Sequence, residues 1–225
     1  MKRVGVIMKK SFQMSESLEV AIFLALSGGL MDAYSYLIRG KVFANAQTGN
    51  ILLLGVSLSN GQWNNCLKYI FPIVSFSVGI LLAQVIRNGK IKKIHWRQVA
   101  LFVEIILLVF VAFIPYRLNY FANAVTSLAC GIQVQTFRKL KGRDFATTMC
   151  LGNLRKSMHY TYEYFDTKNR IYLESAVLYI SVILFFVLGA IIGSKASKLL
   201  GLRTILLSPI FLFVSMVIMF IDNEK

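Results

Sequence analysis

Residues 41–55 read KVFANAQTGNILLLG. An apolar run opens at Val42 and Phe43, meets Gln47-Thr48-Gly49-Asn50, and resumes as Ile51-Leu52-Leu53-Leu54. Inside a bilayer there is no water to bond with. Non-helical backbone survives at that depth only where protein or a water-filled cavity covers it. The reading of this interruption therefore depends on whether the surrounding chain is a membrane protein.

Composition says that it is. Of 225 residues, 56% are hydrophobic and 16% charged, and the mean hydropathy is +0.63. A soluble domain carries about a quarter charged residues. The formal net charge of +15 would suggest nucleic acid on a soluble protein. Here Lys and Arg lie between apolar blocks, where they set orientation. No zinc-finger spacing, RNA-binding aromatic motif or basic helix accompanies them. Cys66, Cys130 and Cys150 lack paired spacing, and His95 and His159 lack ligand spacing. Neither a disulfide framework, a metal site nor a cofactor is expected. No G-x-S-x-G, H-E-x-x-H or Walker loop is present, and no enzyme is expected.

A helix crossing the hydrocarbon core needs about 20 apolar residues. Six segments answer: 18–38, 67–86, 99–116, 118–137, 171–194 and 202–221. Two fall short. Residues 43–58 are interrupted at Thr48-Gly49-Asn50, and 145–160 at Gly152-Asn153 before turning basic. No long linker divides the chain, so 1–225 is expected to form one all-helical transmembrane domain. The basic start (Lys2, Arg3, Lys9, Lys10) reads as the cytoplasmic flank of an uncleaved first span.

The two short segments are related. GLMDAYSYLIRGKVFANAQTGN from Gly29 aligns with GIQVQTFRKLKGRDFATTMCLGN from Gly131. Gly40 then meets Gly142, Phe43-Ala44 meets Phe145-Ala146 and, after one insertion, Gly49-Asn50 meets Gly152-Asn153. FSVGILLA (76–83) resembles FVLGAIIG (186–193). An internal duplication follows, with halves of about 18–116 and 118–221. With three crossings each, the second half is inverted. The clusters at the N-terminus, at Arg87 to Arg97 and at Arg138 to Arg143 then share the cytoplasmic side. Lys195, Lys198 and Arg203 fall outside in this scheme. A spanning 145–160 would bring them inside but bury Arg155 and Lys156, so six and seven crossings both stay open.

A half-helix after each interruption would aim its free N–H groups and positive dipole end at the break. Paired interrupted helices in inverted halves point to a midplane solute site in transporters. The candidate site residues are Asp32, Asn45, Thr48, Gly49, Asn50, Gln133, Gln135, Gly152 and Asn153. Asp32 reads as a proton or cation coupling group, or as a partner of Arg39 or Lys41 near the surface. Glu104, with Arg97 nearby, reads as interfacial. Gln133 and Gln135 read as site contacts or as interhelical hydrogen bonds. Gly189 and Gly193, and more weakly Gly79 with Ala83, read as close helix packing inside the monomer.

GGLMDAYSYLIRGKVFANAQTGNILLLG resembles the hallmark of the YoaK-type family of bacterial multi-pass membrane proteins. The matching residues are Gly28, Gly29, Asp32, Ala33, Phe43, Asn45, Thr48, Gly49 and Asn50. Length and layout agree over most of the chain. The second half departs, with Gly-Ile-Gln-Val-Gln-Thr at 131–136 and Cys150-Leu151-Gly152 where the family pattern expects Gly-Ala-Gln-Asn and Thr-Gly. The resemblance implies an integral membrane protein and no particular activity. The expected function is a small-solute secondary transporter or channel-like permease in the bacterial cell membrane, with its N-terminus cytoplasmic. Its expected partners are the lipid bilayer and an unidentified solute, with no nucleic acid. The alternative is a non-transporting regulatory or structural membrane protein whose re-entrant segments are purely structural.

Overall fold

The computed structural model describes residues 17–89, 96–140, 143–145 and 148–221. Lys2, Arg3, Lys9, Lys10, Lys90, Lys92, Lys93, His95, Lys141, Gly142 and Ala146 lie outside them. Among the described residues, the α-helices are α1 (Leu18–Ile38), α2 (Gln47–Ser59), α3 (Trp63–Asn88), α4 (Trp96–Val111), α5 (Asn119–Thr136), α6 (Cys150–Thr167), α7 (Arg170–Leu200) and α8 (Leu207–Ile221). Short 3-10 segments lie at Tyr116–Leu118 and Gly201–Leu206. A two-residue antiparallel pair, β1 (Lys139–Leu140) with β2 (Arg143–Asp144), follows α5.

Local chemistry sets several boundaries. The Ser17 hydroxyl accepts the Val20 N–H at 3.2 Å and starts α1. Asn169 does the same for α7 through the Ile171 N–H at 3.0 Å. At the end of α1, Gly40 (φ 92°) and Lys41 (φ 64°) are both left-handed. The Lys41 N–H reaches back to the Tyr36 carbonyl at 3.1 Å, the bond that closes a Schellman turn and reverses the chain.

Three stretches are long and apolar enough to cross a membrane: Leu18–Ile38, Trp63–Asn88 and Arg170–Phe220, the last joining α7 to α8. The 16-residue α4 is shorter, and α5 is diluted by Asn119, Asn123, Thr126, Ser127 and Gln133. The outer surface is apolar: Leu52, Leu81, Val85, Phe102 and Leu184 are each more than half exposed. Ser27, Glu104, Asn123, Thr126 and Gln133 are fully or almost fully buried. This inside-out distribution suits a lipid solvent.

Contacts between helices fix their directions. Leu26 faces Gly189 and Leu30 faces Gly193, so α1 and α7 run the same way. Asn64 meets Tyr120 and Gly79 meets Leu128, so α3 and α5 also run together. Between α1 and α5 the order reverses: Gln133 bonds the Leu24 carbonyl, Cys130 touches Met31 and Asn123 bonds the Arg39 carbonyl. Phe23 with Phe211 and Ser27 with Ser208 make α1 and α8 antiparallel. Phe110 on Phe121, with Ala100 beside Ile132, does the same for α4 and α5.

The two parallel pairs use glycine in the same way. A Cβ on Gly29 would overlap the Phe186 carbonyl of α7, and one on Gly189 would overlap the Leu26 carbonyl of α1. A Cβ on Gly131 would overlap the Phe76 carbonyl of α3, and one on Gly79 the Leu128 carbonyl of α5. Each pair lets two backbones touch, which any side chain would prevent.

Candidate functional site

The first interruption begins at the Gly40-Lys41 reversal. From there the chain descends along α1 to Asn45. The Asn45 N–H donates to the Asp32 carboxylate at 2.7 Å, and its Nδ2 donates to the Gly28 carbonyl at 3.2 Å. The amides of Ala44 and Ala46 also bear on Asp32. The chain has thus returned two to three turns down the helix it left.

The non-helical stretch is not where the sequence suggests. α2 starts at Gln47, and Thr48, Gly49 and Asn50 form its first turn. The break lies ahead of them, at residues 41–46. Asn50 is the cause. Its Oδ1 accepts the Phe43 N–H at 3.0 Å, and its Nδ2 donates to the Phe43 carbonyl at 2.7 Å and to Gln47 Oε1 at 2.8 Å. One buried carboxamide supplies the bonds that water cannot. The Phe43 ring stacks on Tyr36 at 5.1 Å and lies where a Cβ on Gly49 would come within 2.8 Å. Thr48 is exposed.

The second interruption differs in the same respect. α6 begins at Cys150 and passes through Gly152 and Asn153 without a break. The non-helical backbone precedes it, and the Phe145 N–H donates to the Arg138 carbonyl at 2.8 Å. Asn153 is buried, Gly152 is exposed with nothing within 4 Å of where a Cβ would stand, and Gln135 is half-buried. Gln133 is buried and donates to the Leu24 carbonyl at 3.1 Å, an interhelical bond.

The two interruptions meet at Gly28. Asn45 bonds its carbonyl, and the Thr148 methyl group packs where a Cβ on Gly28 would be. Asn45 Oδ1 and Thr148 Oγ1 are buried without a hydrogen-bond partner among the described residues. Asp32 lies within electrostatic reach of both Cys130 and Cys150. The meeting point therefore gathers a carboxylate and two buried oxygens that are unpaired among the described residues. A cleft of about 370 Å³ adjoins it, lined by Val134, Arg138, Phe145, Gly152, Asn153 and Lys156 among others. Among the described residues no three His, Cys, Asp or Glu side chains are grouped to hold a metal ion.

Arg39 and Glu104 correct the sequence reading. Arg39 is not a surface partner of Asp32. It is buried, and its guanidinium donates to the carbonyls of Val111 at 2.9 Å and Ile114 at 2.8 Å, to Asn119 Oδ1 at 3.1 Å and to the Tyr34 hydroxyl at 2.7 Å. It caps the end of α4, where a cation suits the dipole. Lys41 instead lies over the Tyr36 ring, 4.5 Å from its centre. Glu104 is not interfacial: it is fully buried, and neither carboxylate oxygen has a partner among the described residues. Thr148 was missed altogether, because nothing in a threonine between Thr147 and Met149 signals contact with Gly28.

The family model described as "Protein of unknown function (DUF1275)" matches residues 20–218. The chain is 26% identical over 185 residues to UPF0700 transmembrane protein YoaK of Bacillus subtilis (strain 168), an alignment covering 77% of this chain and 80% of that protein. No solved structure matches.

Proposed function

The chain belongs to the DUF1275 family, and from that premise we propose a multi-pass protein of the bacterial cell membrane that passes a small solute through a midplane site where two re-entrant half-helices meet. The observation that carries the reading is the convergence of Asn45 and Thr148 on Gly28, each with an unpaired buried oxygen. Buried polar atoms nearly always have partners, and an exception calls for a water, an ion or a ligand.

The proposed frame is an inverted repeat with six crossings, α2 and α6 each entering and leaving on one side. The helix directions support it: α1, α4 and α7 run one way and α3, α5 and α8 the other. The glycine contacts support it too, because Gly29 with Phe186 corresponds to Gly131 with Phe76 under the alignment of the halves. Arg87, Arg97, Arg138, Lys139, Lys168 and Arg170 gather at the end where α1 starts, which favours a cytoplasmic N-terminus. Cysteines introduced at Asn60 and Lys92 should label from opposite sides; labelling from the same side would overturn the frame.

Transport is tested in proteoliposomes by osmotic swelling with small neutral and charged solutes. Swelling that Thr148→Val abolishes, with unfolding temperature unchanged, is the expected result. Swelling indistinguishable from empty vesicles would favour the alternative, a regulatory or structural membrane protein. Its supporting observation is that Asp32 and Asn50 bond backbone.

A further inference from the structure

We infer that Glu104 and the hydroxyl groups of Ser35, Ser127 and Thr204 form a binding site for a small monovalent cation, sodium. The site is enclosed between α1, α4, α5 and the Gly201–Leu206 segment. It goes beyond the solute reading and uses none of the residues that meet at Gly28.

Helix contacts bring these four side chains to neighbouring levels of one core. Asn123 bonds the Arg39 carbonyl, and Cys130 touches Met31. Ser127 and Ser35 each lie one turn from the first contact toward the second, so they share a level between α5 and α1. Phe110 on Phe121, with Ala100 beside Ile132, places Glu104 at the level of residues 127–128. Glu104 also lies within electrostatic reach of Cys130. Phe23 with Phe211 and Ser27 with Ser208 place Thr204 at the level of Met31, about one turn further along. The Gly201–Leu206 segment touches both α1 and α4. Leu101 of α4, Met31 of α1, Cys130 of α5 and Ile205 beside Thr204 belong to one buried cluster.

All four side chains are fully buried. Both Glu104 oxygens and the three hydroxyl oxygens lack a hydrogen-bond partner among the described residues. Other hydroxyls in these helices behave differently. Ser57, Thr126, Thr161 and Ser175 fold back onto the carbonyl one turn earlier, the usual local bond of a helical Ser or Thr. Buried polar atoms without partners are exceptions that call for a water or an ion, and a buried carboxylate calls for positive charge. Arg39 does not supply it. Its guanidinium is spread over the carbonyls of Val111, Ile114 and Pro115, Asn119 and the Tyr34 hydroxyl, and Val111 lies about two turns beyond Glu104.

The donor set names the ligand. Carboxylate and hydroxyl oxygens are hard donors, which suit alkali and alkaline-earth ions rather than soft metals. One carboxylate balances one charge, so a divalent ion would leave unmatched charge in the core. Asp32, the other carboxylate within reach of Cys130, is committed to the Asn45 amide. Few oxygens in an enclosed core favour a small ion over potassium.

The full chain in phosphatidylcholine nanodiscs, at constant ionic strength with choline as the balancing cation, tests the inference. Sodium should raise the unfolding temperature with concentration. Potassium should need about tenfold more for the same shift, and magnesium and further choline should give none. Glu104→Gln should abolish the sodium response. Ser127→Ala and Ser35→Ala should each raise the half-maximal sodium concentration about fivefold, the effect of one lost oxygen contact. Ser215→Ala removes another buried hydroxyl without a partner among the described residues, but about three turns from Thr204, and should leave the response unchanged. In choline, Glu104→Met should be more stable than the unaltered chain, and saturating sodium should reverse the order. Should Glu104→Gln not fold, the two serine variants decide. No response to sodium, an equal response to potassium, magnesium or choline, an undiminished response in Glu104→Gln, or an equal loss in Ser215→Ala overturns the inference. An unfolding temperature that follows pH but not sodium would also overturn it, in favour of a proton on Glu104.

Discussion

The Asp32 carboxylate accepts the Asn45 backbone N–H at 2.7 Å across 13 residues of sequence. That bond ties a non-helical loop to the middle of the helix that precedes it. Hydrogen bonds to charged groups contribute about 1.5–3 kcal/mol. Asp32→Asn should therefore lower unfolding free energy by about that amount in detergent, and Asp32→Ala by more. Unchanged thermal unfolding in both variants would mean that the loop is held by other contacts.

Asn50→Ala removes three hydrogen bonds around Phe43 and Gln47. A loss of about 2–4 kcal/mol is expected, since a buried backbone N–H and C=O lose their partner together. Asn50→Asp keeps an acceptor for the Phe43 N–H but loses both donors, and should fall between. A ligand contact would give a different pattern, with binding lost at unchanged stability.

The glycines separate by what surrounds them. Gly29→Ala and Gly131→Ala each drive a methyl group into a carbonyl oxygen of the facing helix. Both should cost about 1–3 kcal/mol or more, and by similar amounts. Gly55, inside α2, has nothing within 4 Å of a Cβ position. Gly55→Ala should raise stability by about 0.5–1 kcal/mol through helix propensity alone. Thermal unfolding of the three variants side by side is the measurement, and equal losses for all would contradict the packing.

Arg39→Lys keeps the charge but cannot reproduce a fork that reaches three carbonyls, an asparagine and a tyrosine at once. A loss of about 2–3 kcal/mol is expected, from several bonds of about 1 kcal/mol or more each. Arg39→Met should be worse, because the carbonyls at the end of α4 would be left without donors. A silent Arg39→Lys would show that one donor suffices there.

Glu104 is fully buried with neither oxygen partnered among the described residues. An unpaired polar group inside costs about 1–3 kcal/mol on mutational scales. Glu104→Met should recover part of that and raise the unfolding temperature. Destabilisation would instead reveal that the carboxyl group has a partner, such as a bound ion.

Sequence alone determined the solvent and the coarse layout. Apolar blocks separated by basic loops specify membrane helices wherever the chain folds, because the cost of exposing polar backbone to lipid is local to each segment. The first span was legible to the residue at 18–38. The two short segments were legible as the odd members, and α2 and α6 lie there. Tertiary structure decided the site. The interruption lies one turn earlier than Thr48-Gly49-Asn50 suggests, because the Asn50 side chain folds back onto Phe43. Arg39 follows a hydrophobic span and reads as a surface cation, yet the carbonyls at the end of α4 draw it inside. The contact of Thr148 with Gly28 joins residues far apart in sequence. Periodicity and composition describe what each segment prefers by itself. Which polar groups meet depends on how helices from distant parts of the chain pack, and that is a property of their joint geometry rather than of any one stretch.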